Sequence, residues 1–293
     1  MIKVYTDAAS NLFPSILKEK GLDIKVVSMN LHVDDKDIKC YDDDIDVPAI
    51  SKEFYEDLES GKKKISTSLI NPDTFMKAFE KEIEAGNEII CFTMASGISG
   101  TYQAASIAAD EINEEKGKKV IHVVNSATAS LGEGLQAIRA YNLIKEGISL
   151  EELAKDCDEF AFKVRSEFTV GDVSYLIHTG RVTKTLARIA KLLNLKVMLY
   201  GANNSKIEFA GKVHGRKLAI QTLVKTCVKH IVDKNQTVYI AHCDALDDAN
   251  KLKDLLNAEG INNVEIYYYD LITGSHTGKG TLALFYIGEN RDL

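Results

Sequence analysis

Several features that define other protein classes are absent from the sequence or scarce in it. The 293 residues include no tryptophan, three prolines and five cysteines, and the cysteines form no CxxC pair. The seven histidines show no HxH or HExxH spacing. We therefore expect no disulfide framework, no metal site and no cofactor, with the five thiols free in a reducing cytoplasm.

The charge balance narrows the choice of partners. The chain carries 36 basic and 43 acidic residues, a formal net charge of −7. This excess of acid argues against chain-wide affinity for nucleic acid or for anionic membranes, although it leaves room for a local basic patch and transient membrane contact. The first residues form a strand-like run that reaches an acid at Asp7, unlike a signal peptide, so we predict a cytoplasmic location.

The first half of the chain alternates short apolar runs with helical patterns, which predicts βα units on a mainly parallel sheet. The expected strands are residues 2–5, 24–31, 88–93 and 120–124. Asn71 before Pro72, and Ser149 with Glu152, are typical helix starts. The acidic segment 34–46 is expected to be a solvated loop, since it lacks the fixed spacing of a calcium loop.

The pattern changes near residue 160, and we predict two α/β domains, 1–160 and 161–293. In the second half, Asp172 is expected to cap a short helix, and an amphipathic helix is expected over 181–192. A hairpin is predicted around the Gly201–Asn204 turn. The glycine-rich segment 273–280 is expected to be a loop between two strands.

Hydroxyl side chains cluster at three points where the chain is expected to enter a helix from a strand: at Thr67–Ser68, just before the helix start at Asn71, at Ser96 with the nearby Ser99, and at Ser126. Open α/β sheets bind ligands at the carboxyl ends of their strands, and helix N-termini there favour anions. The pattern predicts a site for a carboxylate or a phosphate. The alternative is that each hydroxyl only caps its own helix.

His276 lies within the glycine-rich segment 273–280, where a flexible backbone could bring its imidazole close to an anion. The alternative is an ordinary surface histidine. Sequence templates for catalysis do not fit. A nucleophile elbow has the pattern G-x-S-x-G, but here Gly100 follows Ser99 directly, one residue too early. Neither a phosphate loop nor GxGxxG is present. The residues therefore indicate an anion-binding site without a visible catalytic motif.

Five segments occur in an order that is more specific than any one of them: Thr67-Ser68-Leu69-Ile70-Asn71-Pro72, Ser96-Gly97-Ile98-Ser99-Gly100-Thr101-Tyr102-Gln103, Ser126 to Gly134, Gly180-Arg181, and Gly274-x-His276-Thr277-Gly278-x-Gly280-Thr281. In this order they resemble the DegV family over nearly the whole chain. The resemblance implies a two-domain α/β fold that encloses a fatty acid between its domains. It also implies a FakB-like role, in which the carboxylate of the bound acid is presented to a separate fatty-acid kinase that makes an acyl phosphate.

The resemblance also implies roles for individual residues. The positions that match the family's carboxylate contacts are Thr67, Ser68, Ser96 and His276. The basic positions near the head group or the kinase-docking surface are Arg181 and Arg216, and Ser126 and Thr277 are further candidate contacts. Apolar candidates for the tunnel wall are Phe92, Met94, Ile98 and Phe285.

Three hypotheses about function remain open at this point. The first is a non-enzymatic protein that binds a long-chain fatty acid and serves a fatty-acid kinase. The second is an enzyme acting on a small anionic or phosphorylated substrate, with His276 as acid or base. The third is a sensing or protein-interaction module that uses the same pocket without transfer to a kinase.

Overall fold

Thirteen strands form three sheets in the computed structural model, which describes residues 1–42, 45–182 and 195–291. The predicted helix over 181–192 falls almost entirely outside these ranges. The strands are β1 (Ile2–Asp7), β2 (Ile24–Val27), β3 (Asn30–Val33), β4 (Lys36–Lys39), β5 (Ile65–Ser68), β6 (Glu88–Thr93), β7 (Ile121–Asn125), β8 (Val164–Thr169), β9 (Leu195–Gly201), β10 (Ile207–His214), β11 (Val238–His242), β12 (Val264–Tyr268) and β13 (Leu282–Ile287).

Helices connect these strands and cover the sheets. They are α1 (Pro14–Lys20), α2 (Val47–Ser60), α3 (Pro72–Glu84), α4 (Thr101–Lys116), α5 (Leu131–Lys145), α6 (Leu150–Phe160), α7 (Ser174–His178), α8 (Arg216–His230), α9 (Leu246–Ala258) and α10 (Leu271–Thr277). The predicted caps are confirmed: Asn71 accepts the Thr74 N–H at 2.9 Å, and Ser149 forms a capping box with Glu152. None of the helices in the described ranges is long and apolar enough to cross a membrane.

The first sheet is parallel, in the spatial order β2–β1–β6–β7, and this confirms the predicted βα organisation. Tyr5 at the centre of β1 lies opposite Lys25 on one side and Cys91 on the other. β6 is buried along almost its whole length, as expected of a central parallel strand covered by helices on both faces.

A small antiparallel sheet, β4–β3–β5, corrects two predictions. The single strand predicted over 24–31 is two strands in different sheets, and the segment predicted as a loop over 34–46 contains β4. The chain reverses at Asp34, which has φ +53° and whose carboxylate accepts the Lys64 N–H at 2.8 Å. Thr67 therefore lies opposite Leu31 within an antiparallel strand, rather than beyond the end of a parallel one.

The second large sheet is mixed, in the order β10–β9–β8–β13–β11–β12, and only β11 and β12 are parallel neighbours. The predicted hairpin is confirmed as β9 and β10. Asp172 accepts the Ser174 N–H at 2.8 Å directly before α7, but the N-cap position of this helix is Val173, one residue later than predicted. All strands of this sheet follow residue 163, whereas all strands of the parallel sheet precede residue 126.

The prediction of a loop over 273–280 is wrong, because residues up to Thr277 belong to α10. The Asp270 carboxylate accepts the Thr273 N–H at 2.6 Å and starts the helix, and Gly278, with φ +78°, ends it. Gly274 is required by packing, since a Cβ there would overlap the Tyr55 hydroxyl of α2. The glycine content of this segment therefore reflects a close helix contact and a helix end.

Candidate ligand-binding site

A cavity of about 570 Å³, which we call the main cavity, opens where the three sheets meet. Its size is typical of a small-molecule site. Its lining residues are Met29, Thr67, Ser68, Leu69, Met94, Ile98, Ser99, Gly100, Leu176, Arg181, Ile207, Ile272, Thr273, His276 and Thr277. A wider groove of about 1100 Å³ lies near the amino end of β1, but it is lined by none of the predicted site residues.

The wall of the main cavity is divided between polar and apolar groups. Its polar part combines hydroxyls with an imidazole and a guanidinium: Thr67, Ser68, Ser99, Arg181, Thr273, His276 and Thr277. Its apolar part consists of aliphatic and thioether side chains: Met29, Leu69, Met94, Ile98, Leu176, Ile207 and Ile272. Such a wall suits a ligand with one anionic end and a hydrocarbon body.

A second, small cavity of about 50 Å³ adjoins the main one. The residues common to both walls are Ile98, Ile207, Thr273 and Thr277. Beyond them the small cavity is bordered by Phe168 of β8 and Phe285 of β13, so it lies against the mixed sheet.

The structure separates the four predicted tunnel residues. Met94 and Ile98 line the main cavity, and Phe285 lines the small one. Phe92 is fully buried in the core around the parallel sheet and lines neither cavity. An apolar residue in the middle of a parallel strand thus packs against helices, whereas those just beyond the strand reach the cavity.

Thr67 and His276 form the polar centre of the main cavity, with Thr67 Oγ1 2.9 Å from His276 Nε2. Burial first, and then the nearby Arg181 charge, lower the pKa of His276 to about 4, so its ring is neutral at pH 7. His276 Nδ1 is buried and makes no hydrogen bond within the described residues. In one tautomer Nδ1–H is an unused donor; in the other, Nε2–H donates to Thr67, whose hydroxyl hydrogen becomes available.

Arg181 brings a cation to the same wall. Its guanidinium donates through Nε to the Ile98 carbonyl at 3.3 Å and through Nη1 to the Thr179 carbonyl. Burial lowers the pKa of Arg181, but a guanidinium titrates so far above neutrality that it stays charged. These carbonyl contacts hold the cation beside the cavity, and no carboxylate among the described residues forms an ion pair with it.

Ser99 lines the main cavity, whereas Ser96, which the sequence analysis favoured, does not. Ser96 is exposed, donates its N–H to Asn125 Oδ1 at 3.1 Å and accepts from Asn125 Nδ2 at 2.9 Å. The chain turns after it, since the Ser99 N–H donates to the Ala95 carbonyl at 3.2 Å. The sequence signal that favours Ser99 is the start of α4 at Thr101, because it places Ser99 and Gly100 at a helix N-terminus.

Two further predicted residues also lie away from the main cavity. Ser126 is fully buried and donates to the Thr128 carbonyl at 3.1 Å. Arg216 lies at the start of α8 and pairs with Asp248 at 2.7 Å. Ser68, Arg181 and Thr277 do line the main cavity. The structure thus brings together Thr67, Ser68, Arg181, His276 and Thr277, and adds Ser99.

The parallel sheet, the small antiparallel sheet and the mixed sheet, with an amphiphilic cavity where they meet, define a class of α/β protein. Residues 1–289 match the model of a family described as "Uncharacterised protein, DegV family", and the chain belongs to the DegV family. The DegV domain-containing protein CPE0026 of Clostridium perfringens is 34% identical over 291 residues, which cover 99% of this chain and 98% of that protein.

Solved structures share the fold. A DegV family protein from Thermus thermophilus, described by its fatty acid binding, superimposes with a TM-score of 0.85 at 24% identity and covers 98% of this chain and 99% of its own. The fatty acid kinase B3 protein of Streptococcus pneumoniae, loaded with linoleic acid, gives a TM-score of 0.84 at 18% identity and covers 99% and 100%. At these identities the likeness establishes the fold.

Proposed function

We propose that this protein binds a long-chain fatty acid in the main cavity and presents its carboxylate to a fatty-acid kinase, which converts it to an acyl phosphate. The observation that carries the proposal is the divided wall, with Thr67, Ser99, Arg181 and His276 on the polar part and aliphatic side chains on the rest. The fatty acid binding of the DegV family protein from Thermus thermophilus and the linoleic acid in the streptococcal protein, both of the same fold, support it.

The apolar wall would supply most of the binding free energy. At about 0.8 kcal/mol per buried methylene, a chain of ~15 methylenes gains on the order of 12 kcal/mol on leaving water. Ile98 and Ile207, which line both cavities, mark the direction in which the chain would continue, toward Phe285 of the mixed sheet. The small cavity would then receive the far end of the acyl chain.

The polar wall would fix the orientation of the ligand. A hydrogen bond to a charged group contributes about 1.5–3 kcal/mol, part of which is lost to desolvation of the carboxylate. The donor left unused by the Thr67–His276 pair, the Ser99 hydroxyl and the Arg181 guanidinium are donors of the kind that a carboxylate accepts. Ser99 replaces Ser96 in this proposed set because of its place in the wall.

We infer a carrier rather than an enzyme, acting in the cytoplasm together with a kinase partner. The streptococcal protein of the same fold is named fatty acid kinase B3 protein, and this name supports the partnership. The free cysteines, all five buried, fit a reducing compartment. We also propose domains 1–160 and 161–293, on the ground that each large sheet is built from one side of that boundary.

The proposal is tested by titrating lipid-free protein with a fatty acid and with the fatty alcohol of the same chain length. We expect tight binding of both, with the acid preferred by about tenfold or more because only it is charged at the head. Addition of a fatty-acid kinase and ATP should then yield acyl phosphate only when the carrier is loaded. A chain that binds neither ligand, or that turns over a phosphorylated substrate alone, would favour the enzyme hypothesis.

A further inference from the structure

Asn11 connects the parallel sheet to the helix that carries His276. It follows β1, is fully buried and has φ +63°, ψ 14°, in the left-handed region. Its side-chain oxygen accepts the Asp270 N–H at 2.6 Å and the Ser130 hydroxyl at 3.1 Å, and its side-chain amide donates to the Tyr268 carbonyl at 2.9 Å. One side chain from the first half of the sequence thus bonds both residues that flank Tyr269.

Asp270 is the N-cap residue, directly before the first residue of α10. Its side-chain carboxylate accepts the Thr273 N–H at 2.6 Å, and its main-chain carbonyl accepts the Gly274 N–H at 2.9 Å. Both the side chain and the main chain of Asp270 therefore hold the first turn of the helix. α10 spans only Leu271–Thr277. In a helix of about two turns, a displacement at the first residue carries through to His276.

The residues around Asn11 are themselves fixed. The Ser130 N–H donates to the Ala9 carbonyl at 2.7 Å, and the Asp7 carboxylate accepts the Ala9 N–H at 2.8 Å and the Met94 N–H at 2.9 Å. Asn11 is therefore held by the same short segment that reaches Met94 on the cavity wall. Its position is determined by the parallel sheet.

We propose that Asn11 is a positioning residue for the head-group site: by fixing the start of α10 through Asp270, it sets where His276 meets Thr67. The inference rests on the proposed binding of a carboxylate at this site. An aspartate could not replace Asn11, because it would lose the donor to the Tyr268 carbonyl and add a carboxylate beside Asp270.

The test compares palmitic acid with hexadecanol in wild type and in Asn11→Gly, glycine being chosen because it tolerates the left-handed backbone. We expect the preference for the acid to fall by about tenfold while the affinity for the alcohol changes by less than about twofold. Ser130→Ala, which removes one of the two donors to Asn11 Oδ1, should shift the preference in the same direction by about threefold and keeps the test available if Asn11→Gly does not fold.

The matched control is Ser10→Ala, the neighbouring buried hydroxyl, which has no hydrogen-bond partner within the described residues and should leave both affinities unchanged. In a His276→Ala background, Asn11→Gly should cause no further loss of preference, because its effect passes through His276. An equal loss of acid and alcohol affinity, or a full additional loss in the His276→Ala background, would overturn the proposal. A wild type that binds neither ligand would instead overturn the proposed function.

Discussion

Thr67 Oγ1 and His276 Nε2 lie 2.9 Å apart although 209 positions separate them in sequence. One belongs to the small antiparallel sheet and the other to the last helix, so the contact exists only when the two halves of the chain are docked. The pair lies on the wall of the main cavity, beside the apolar residues that would hold an acyl chain. The head-group site is thus assembled from elements that fold far apart in the chain.

Removal of either member should weaken carboxylate binding selectively. For His276→Ala and Thr67→Val we expect the Kd for a fatty acid to rise by about tenfold or more, because one bond to a charged group is lost, while the Kd for the matching alcohol changes by less than about twofold. Fluorescence titration measures both. His214→Ala, an exposed histidine on β10, serves as the control, and equal weakening of both ligands would show that the pair is only structural.

Acid should destabilise the protein through His276. Burial lowers its pKa from 6.5 to about 4. Between these two pH values the imidazole is therefore protonated in the unfolded chain but neutral in the folded one. The stabilisation is complete above pH 6.5 and is lost as the pH falls to about 4, by at most ~3 kcal/mol.

His242, whose pKa burial also lowers to about 4, contributes in the same direction. The difference in unfolding free energy between wild type and His276→Gln, measured by urea denaturation from about pH 7 to about pH 4, isolates the His276 contribution because other groups titrate in both proteins. A difference that stays constant across this range would contradict the burial of His276.

Alkaline conditions should act oppositely through Glu133. Burial and the adjacent Asp7 raise the pKa of Glu133 well above its usual value, and its Oε2 has no hydrogen-bond partner within the described residues. The folded state thus retains a proton that the unfolded state releases, and stability falls as the pH rises from about 4.5 toward the folded pKa. Glu133→Gln cannot titrate, so its stability relative to wild type should increase with pH.

We expect Glu133→Gln to be more stable than wild type at about pH 8 and to match it near pH 4. The exposed Glu115→Gln is the control and should change stability by less than about 0.5 kcal/mol at either pH. Urea denaturation at the two pH values provides the measurement. A Glu133→Gln protein that is less stable than wild type at the higher pH would refute the prediction.

A larger side chain where the two cavities adjoin should exclude the acyl chain. Ile98 lines both cavities, so Ile98→Trp should reduce fatty acid and fatty alcohol affinity alike, by at least about tenfold. Ile107→Trp, at an exposed position on the same α4–β6 side of the fold, should leave both unchanged. Undiminished binding to Ile98→Trp would show that the acyl chain takes another path.

The regular elements could be predicted because their signals are local. The caps at Asn71 and Ser149 and the Gly201–Asn204 turn each depend on a few neighbouring residues, and the structure confirms them. The prediction of a single strand over 24–31 was wrong because the break within it depends on Leu31 pairing with Thr67, a contact that no local pattern contains. The prediction of a loop in the glycine-rich segment was wrong because Gly274 is required by close packing against Tyr55, which lies in another helix.

The site could be predicted in outline because the motifs that carry the resemblance contain several of its residues. Thr67, His276 and Arg181 were identified by the resemblance, and the structure brings them to one wall. Ser96 and Ser99 are three residues apart in the same loop, and only the turn between them decides which hydroxyl faces the cavity. Arg216 lies elsewhere because Asp248, a residue of α9, pairs with it.

If this protein carries a long-chain fatty acid, mass spectrometry of the purified protein should detect it. The native spectrum should show a mass excess of a few hundred daltons that disappears on denaturation, with a released species that matches a free fatty acid. We expect this mass excess in the protein as purified, or its appearance after incubation with palmitic acid. A protein that is purified empty and stays empty after that incubation would contradict it.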